Sequence, residues 1–275
     1  MSRYPEISIP GARVLVTGAG RGIGRATATA FAARGATVAL ADIDRVAVTD
    51  AAASVGTAHV LDVRSRTSWD ACLAEVGPID ILVNNAGVMP VGGFLDEADA
   101  TGEMTLDVNV WGPIHGMRAV VPGMIERGRG HVVNVASLAG KIAIPGLAVY
   151  NASKYAAVGL SAAARLEFAE RGVSVSTVLP SAVRTTLTSG IPLGKGLPTV
   201  DPEDIAAAVV RTVRTRRAET PVPGYLAGLD LGLAVAPERL VSLIRRVVGG
   251  ERALTRVDAT ARADYDARLR RAEGD

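Results

Sequence analysis

Short apolar runs alternate with longer amphipathic ones along most of this chain of 275 residues. Residues 12–17 (ARVLVT) end in glycines and lead into RATATAFAARG, which predicts a strand, a tight turn and a helix. Gly35 stands where that helix would end, and ATVALAD (36–42) predicts a second buried strand. The alternation predicts further strands over 57–62, 80–84, 131–137 and 173–179, with long helical patterns near 101–127 and 148–171. Such alternation implies right-handed βαβ units, and so an α/β fold with a doubly wound parallel sheet and helices on both faces. Asp201-Pro202-Glu203-Asp204 opens another helix, with Asp201 as N-cap and Pro202 in the first turn. TPVP near 220–223 suits a last edge strand, where prolines are tolerated. In 238–248, Leu240, Val241, Ile244, Val247 and Val248 form one stripe opposite Arg239, Arg245 and Arg246. Without aromatic anchors, that stripe suits a helix over a pocket or against a partner subunit better than a membrane-surface helix. The last helical pattern, 256–271, is mostly charged and is expected to be exposed.

Hydrophobic residues make up 48% of the chain and aromatic ones only 4%, so Ala, Val and Leu must build the core, as suits parallel strands covered on both faces. No linker or repeat divides the sequence, and a single domain over 1–275 is expected, with a helical extension beyond about residue 224. The net charge of +2 is small and the basic residues are scattered, which gives no reason to expect nucleic acid. The single Cys72 cannot form an internal disulfide, and a cytoplasmic setting fits. The first ten residues lack a signal-peptide core, and no stretch reaches the roughly 18 apolar residues of a spanning helix. A soluble protein without an integral membrane span is expected.

The turn after the first strand reads Thr17-Gly-Ala-Gly-Arg-Gly-Ile-Gly24. A helix start offers unpaired N–H groups and a positive dipole end to an anion such as a dinucleotide's pyrophosphate. Gly18 would make the turn, Gly22 admit the ligand, and Gly24 let the helix pack on the sheet. Asp42 closes the second strand, eighteen residues beyond Gly24. A carboxylate there can accept both adenosine ribose hydroxyls and would repel a 2′-phosphate, which argues for NAD over NADP.

This turn is followed by Asn84-Asn85-Ala86-Gly87, by Ser137 thirteen residues before Tyr150-Asn-Ala-Ser-Lys154, and by Pro180-Ser-Ala-Val-Arg-Thr185. In order and spacing these motifs resemble the short-chain dehydrogenase/reductase family over residues 11 to about 223. The resemblance implies a Rossmann-type sheet and a nicotinamide cofactor held by Thr17, Gly18, Gly20, Arg21, Gly22, Ile23 and Gly24. It adds Asp42 at the ribose, Asp62 and Val63 at the adenine, Asn85, Ala86 and Gly87 along the cofactor, and Pro180, Val183 and Thr185 at the nicotinamide. Taken alone, Asp62 equally suits a strand-end cap. Arg21 argues for NADP, since NADP-preferring relatives carry a basic residue there; Asp42 weighs more because it would meet the 2′ position directly. Ser181 stands where the family's PGxxxT has glycine, which bears on the local backbone and not on the chemistry.

The resemblance also implies a tetrad of Asn109, Ser137, Tyr150 and Lys154. Tyr150 and Lys154, four apart, share one helix face. A phenol's ordinary pKa near 10 is too high for a base at neutral pH. The lysine ammonium and the positive nicotinamide ring are expected to lower it, so that Tyr150 can exchange a proton with an alcohol. Ser137 would hold the substrate oxygen, Lys154 also the nicotinamide ribose, and Asn109 a water that relays protons to Lys154. The hydride passes directly between substrate and nicotinamide, so no metal is expected.

By the same alignment Val88, Met89, Pro90, Leu138, Ile144, Leu147 and the loop Leu187 to Leu197 line the pocket, and Gly/Pro-rich 189–198 acts as a lid. Lys141 and Lys195 are read as solvated. These apolar walls favour a lipophilic secondary alcohol or ketone, handled by an NAD-dependent enzyme. The alternatives are an NADPH-dependent carbonyl or 3-oxoacyl-thioester reductase, and a non-catalytic dinucleotide-binding sensor or scaffold. The long helices near 101–127 and 148–171 resemble those that assemble family members, so a homo-oligomer, dimer or tetramer, is expected.

Overall fold

The computed structural model describes residues 4–191, 199–228, 239 and 257–273. The apolar stripe of 238–248, Arg239 apart, and residues 192–198 of the expected lid lie outside them.

The apolar runs form β1 (Arg13–Thr17), β2 (Thr37–Asp42), β3 (Thr57–Val60), β4 (Ile81–Asn84), β5 (Gly130–Val135) and β6 (Val173–Pro180). β7 (Ala182–Val183) and β8 (Thr199–Val200) make a small separate ladder, and β9 (Glu219–Val222) adds to β6. The main sheet is parallel, in the order β3-β2-β1-β4-β5-β6-β9. This is the expected doubly wound, Rossmann-type sheet. β9 sits at its edge, where Pro221, which has no N–H, leaves no ladder bond unmade.

The strand pleat sorts the core. Val14, Val16, Ile81, Val83 and Val133 pack on one face against α1 (Gly22–Ala32), α2 (Arg45–Ala52) and α7 (Pro202–Thr215). Leu15, Leu82 and Val132 point the other way, to α3 (Arg66–Val76), α5 (Gly112–Glu126) and α6 (Ala148–Phe168). Successive residues of one strand thus serve opposite layers, which is why these strands are apolar throughout. Asp201 starts α7 as expected, within a capping box in which Asp204 accepts the Asp201 N–H at 3.0 Å.

The pattern over 101–127 is not one helix. α4 (Asp99–Leu106) passes into a π-helical turn, Asp107–Trp111, before α5 begins. The N–H of Gly112 reaches back five residues to the carbonyl of Asp107. Pro113 has no N–H to offer Asn109 four residues before it, so the wider turn falls where the α-helical ladder is already broken. Asn109 sits in that turn.

Candidate active site at the carboxyl ends of the strands

The sheet changes direction between β1 and β4, the position at which α/β folds open a crevice beyond their strand ends. The Thr17 hydroxyl accepts the N–H groups of Asn85 and Ala86 at 3.0 and 3.1 Å, and the Asn85 amide returns bonds to the carbonyls of Thr17 and Gly18 at 2.9 and 3.1 Å. The glycine turn and the Asn85-Ala86-Gly87 loop are thereby one unit. Two glycines in it are sterically required. Gly18 has φ 63°, and a Cβ on Gly24 would lie 2.1 Å from the Gly18 carbonyl oxygen. Thr185 closes the far side, its methyl 3.3 Å from where a Cβ of Gly22 would be. Gly22 opens α1, whose start has no side-chain cap and so offers first-turn N–H groups without a partner inside the helix.

At the end of β2, the Asp42 carboxylate accepts the Gly20 N–H at 2.9 Å and the Asp44 N–H at 3.0 Å. Arg21 is engaged by Asp44 at 2.7 Å, and Asp44 also caps α2 through the Ala47 N–H. That N–H and the Arg21 guanidinium hold the Asp44 carboxyl below the usual carboxylate range. The sequence reading missed Asp44, whose only signal was a second acid two residues beyond Asp42. Asp62 is gripped by its neighbour Arg64, with bonds of 2.8–3.0 Å, and the Val63 carbonyl accepts the Trp69 indole N–H at 3.1 Å.

The four expected catalytic side chains converge from three elements. On α6, Tyr150, Ser153, Lys154, Ala157, Val158 and Ser161 form the buried stripe, and the Lys154 Nζ lies 5.6 Å from the Tyr150 ring centre. Asn109 comes from the π turn, and Gly87 lies between them: a Cβ there would be 3.2 Å from Asn109 Oδ1 and 3.5 Å from Lys154 Nζ. Asn109 accepts the Val88 N–H and donates to the Val88 carbonyl and to Ser153 Oγ, at 2.9–3.0 Å. Ser137, just past β5, has its hydroxyl beside Tyr150 and accepts the Ala139 N–H at 3.1 Å. Asn151, which the sequence reading passed over inside the YNASK motif, ties this region to α6. It donates to the carbonyls of Ala139 and Ile142 at 2.6 and 2.8 Å and accepts the Ile144 N–H at 3.1 Å.

The electrostatics depart from expectation at Tyr150. Burial pushes the phenol up to about 12, the Ser137 hydrogen bond pulls it down, and Tyr265 pushes it further up. Lys154 stands beside it, with its Nζ 5.6 Å from the ring centre. Its own ammonium is brought down to about 8 by burial. The protein's own groups therefore hold the phenol protonated at neutral pH. Ser181 causes no distortion: its N–H donates to the Val222 carbonyl at 2.9 Å, and among the described non-glycine residues only Arg216 has a positive φ.

The family model described as short chain dehydrogenase matches residues 12–195. The chain belongs to the short-chain dehydrogenase/reductase family. It is an oxidoreductase of that family. It is 34% identical to the 17-beta-hydroxysteroid dehydrogenase 13 of Rattus norvegicus over 256 residues, covering 87% of this chain and 84% of the relative. A short chain dehydrogenase from Burkholderia cenocepacia J2315 in complex with NADP superposes with a TM-score of 0.77 at 26% identity, over 86% of this chain and 98% of the other. A short chain dehydrogenase/reductase from Burkholderia phymatum in complex with NAD gives 0.73, also at 26%, over 82% and 93%.

In this short-chain dehydrogenase, Met89, Ala139, Leu147 and Tyr150 cluster with Val91, Ile144, Leu187 and Ile191. Leu138 is not among them; it packs with Ala136, Leu179 and, from α6, Ala157 and Val158. Lys141 is not simply solvated, since it pairs with Glu219 at 2.8 Å. The last helix, α8 (Ala259–Glu273), corrects the expectation of an exposed segment. Arg262, Tyr265 and Leu269 are buried on its inner face, with Arg262 only 2% exposed. No described helix is long and apolar enough to cross a membrane.

Proposed function

We propose that the protein interconverts a lipophilic secondary alcohol and its ketone with NAD, Tyr150 serving as the acid/base. The observation that carries this reading is the convergence of Asn109 and Lys154 at Gly87, with Tyr150 beside Lys154 on α6 and Ser137 bonded to Tyr150, next to a glycine turn in which side chains are sterically refused. When bound, the nicotinamide cofactor supplies the hydride acceptor or donor. Ser137 orients the substrate oxygen towards Tyr150, and Tyr150 accepts the hydroxyl proton in oxidation or donates it in reduction. Lys154, buried and largely charged at neutral pH, balances charge developing on the phenol. The Asn109 side chain is committed to Val88 and Ser153, so a relay water would bond to its main-chain carbonyl, which Pro113 cannot occupy.

Cofactor choice rests on Asp42 and on Arg21 being held by Asp44. Two carboxylates at the end of β2 favour ribose hydroxyls over a 2′-phosphate. The lipophilic substrate is supported by the apolar cluster around Tyr150 and by the name of the hydroxysteroid relative. The NADPH-dependent carbonyl reductase alternative is supported by Arg21 beside the glycine turn and by the relative in complex with NADP. Exposed Trp111, Tyr155 and Leu166 on the π turn and α6 support a homo-oligomer. The test is Tyr150→Phe, assayed with NAD⁺ and a panel of secondary alcohols. Turnover should fall at least a hundredfold while cofactor-induced thermal stabilisation persists; unchanged turnover refutes the mechanism.

A further inference from the structure

α8 is a charged helix with one buried stripe, and that stripe reaches the pocket. The Arg262 guanidinium donates to the carbonyls of Met89, Leu187 and Ser189 and pairs with Asp266 at 3.1 Å. Met89 belongs to the loop after β4, and Leu187 and Ser189 to the segment after β7. The side chains of Met89 and Leu187 are in the apolar cluster that contains Tyr150. One buried cation thus fastens both pocket loops to the C-terminal helix, its charge spread over neutral acceptors and one carboxylate.

Tyr265, three residues on, lies with its ring 4.6 Å under the Arg262 guanidinium and packs with Met104 and Leu269, against Val88, Val108 and Leu187. Its hydroxyl oxygen accepts the Met89 N–H at 2.8 Å. A phenol accepting one bond still has its own proton to donate, and no described residue takes it. Tyr265 is close enough to Tyr150 to affect that group's ionisation, and burial holds Tyr265 itself neutral, with its pKa pushed up to about 12. Nothing in the proton transfer proposed for Tyr150 uses this second hydroxyl.

We propose that Tyr265 is a specificity-determining residue of this pocket, its hydroxyl donating a hydrogen bond to an acceptor oxygen of the substrate other than the one that reacts. The substrate class is then a lipophilic alcohol or ketone bearing a second oxygen near the reacting carbon. This inference rests on the alcohol/ketone reading above. Arg262 sets the position of Tyr265 through the two loops.

The probes are cyclohexanol and the cyclohexane-1,2- and 1,3-diols, oxidised with NAD⁺. The wild-type enzyme should show a KM roughly tenfold lower for one diol than for cyclohexanol, the effect of about one net hydrogen bond. Tyr265→Phe keeps the ring under Arg262 and should abolish the preference, bringing that diol's KM to the cyclohexanol value measured on the same variant, with cofactor-induced stabilisation retained. Equal KM values in the wild type overturn the proposal without reference to any variant. A Tyr265→Phe variant that shifts diol and cyclohexanol by the same factor also overturns it, since that is the signature of a merely structural bond to Met89. Tyr150→Phe, run in parallel, separates the two claims: turnover surviving there removes the reading beneath, whereas a loss there with no diol preference removes Tyr265 alone.

Discussion

Replacing His131 by Gln tests how this core treats a charge. The imidazole is fully buried between β5 and α7, its Nδ1 2.8 Å from Ser174 Oγ and its Nε2 2.9 Å from Thr212 Oγ1. The Thr212 hydroxyl also donates to the Val209 carbonyl and the Ser174 hydroxyl to the Gly130 carbonyl, so both ring nitrogens lie in a closed polar network. Ser174 also receives a bond from Arg216 at 2.9 Å. Burial, followed by the nearby Arg216 and Arg165 charges, holds the imidazole pKa well below its ordinary 6.5. The native state is therefore the less protonated one. As pH drops below about 6.5 the unfolded chain takes up a proton that the folded chain refuses, and stability falls by about 1.4 kcal/mol per pH unit until the folded pKa is reached. Above pH 7.5 this contribution is fully retained. His131→Gln costs about 1–3 kcal/mol at pH 7.5 from the bonds it disturbs, but it does not titrate. Guanidinium unfolding of both proteins from pH 8 to pH 5 should thus show the wild-type advantage shrinking as the solution is acidified. Other titrating groups cancel in the difference. Parallel stability curves would refute a neutral, desolvated His131.

Three further outcomes follow from the cofactor crevice. Gly24→Ala puts a Cβ 2.1 Å from the Gly18 carbonyl oxygen, so NAD⁺ should no longer raise the melting temperature; an intact shift would show that the turn does not hold the pyrophosphate. Asp42→Ala should weaken NADH binding and relax discrimination against NADPH in a thermal-shift titration, and an unchanged preference sinks the role given to that carboxylate. Thr17→Val keeps the shape but leaves the Asn85 and Ala86 N–H groups without their acceptor, at a cost of about 2 kcal/mol in chemical denaturation; under about 0.5 kcal/mol would mean that the strand ends are held together by something else.

Much of the site was legible because its chemistry is local in sequence. Tyr150 and Lys154 share a helix face at a spacing of four, and Gly18 to Gly24 announce a close backbone approach whatever surrounds them. Asp44 was harder, because its role depends on Arg21 reaching across from another loop. The π turn at Asn109 was masked by apolar residues that continue the helical period through it, with Pro113 the sole local sign. α8 misled for a plain reason: a helix with charge on every side reads as solvated, and the acceptors that let Arg262 be buried lie 73, 75 and 173 residues away.

The sequence by itself determined the alternation of strands and helices and the glycine turn, and through its family resemblance it nominated Asn109, Ser137, Tyr150 and Lys154. The first two follow from short-range rules: pleat and helix periods and steric access. Only the tertiary structure decided which carboxylate restrains Arg21, that burial lifts Tyr150, and that Tyr265 is buried against the Met89 loop. Those outcomes are set by desolvation and by partners distant in the chain, quantities that exist only once the sheet has assembled.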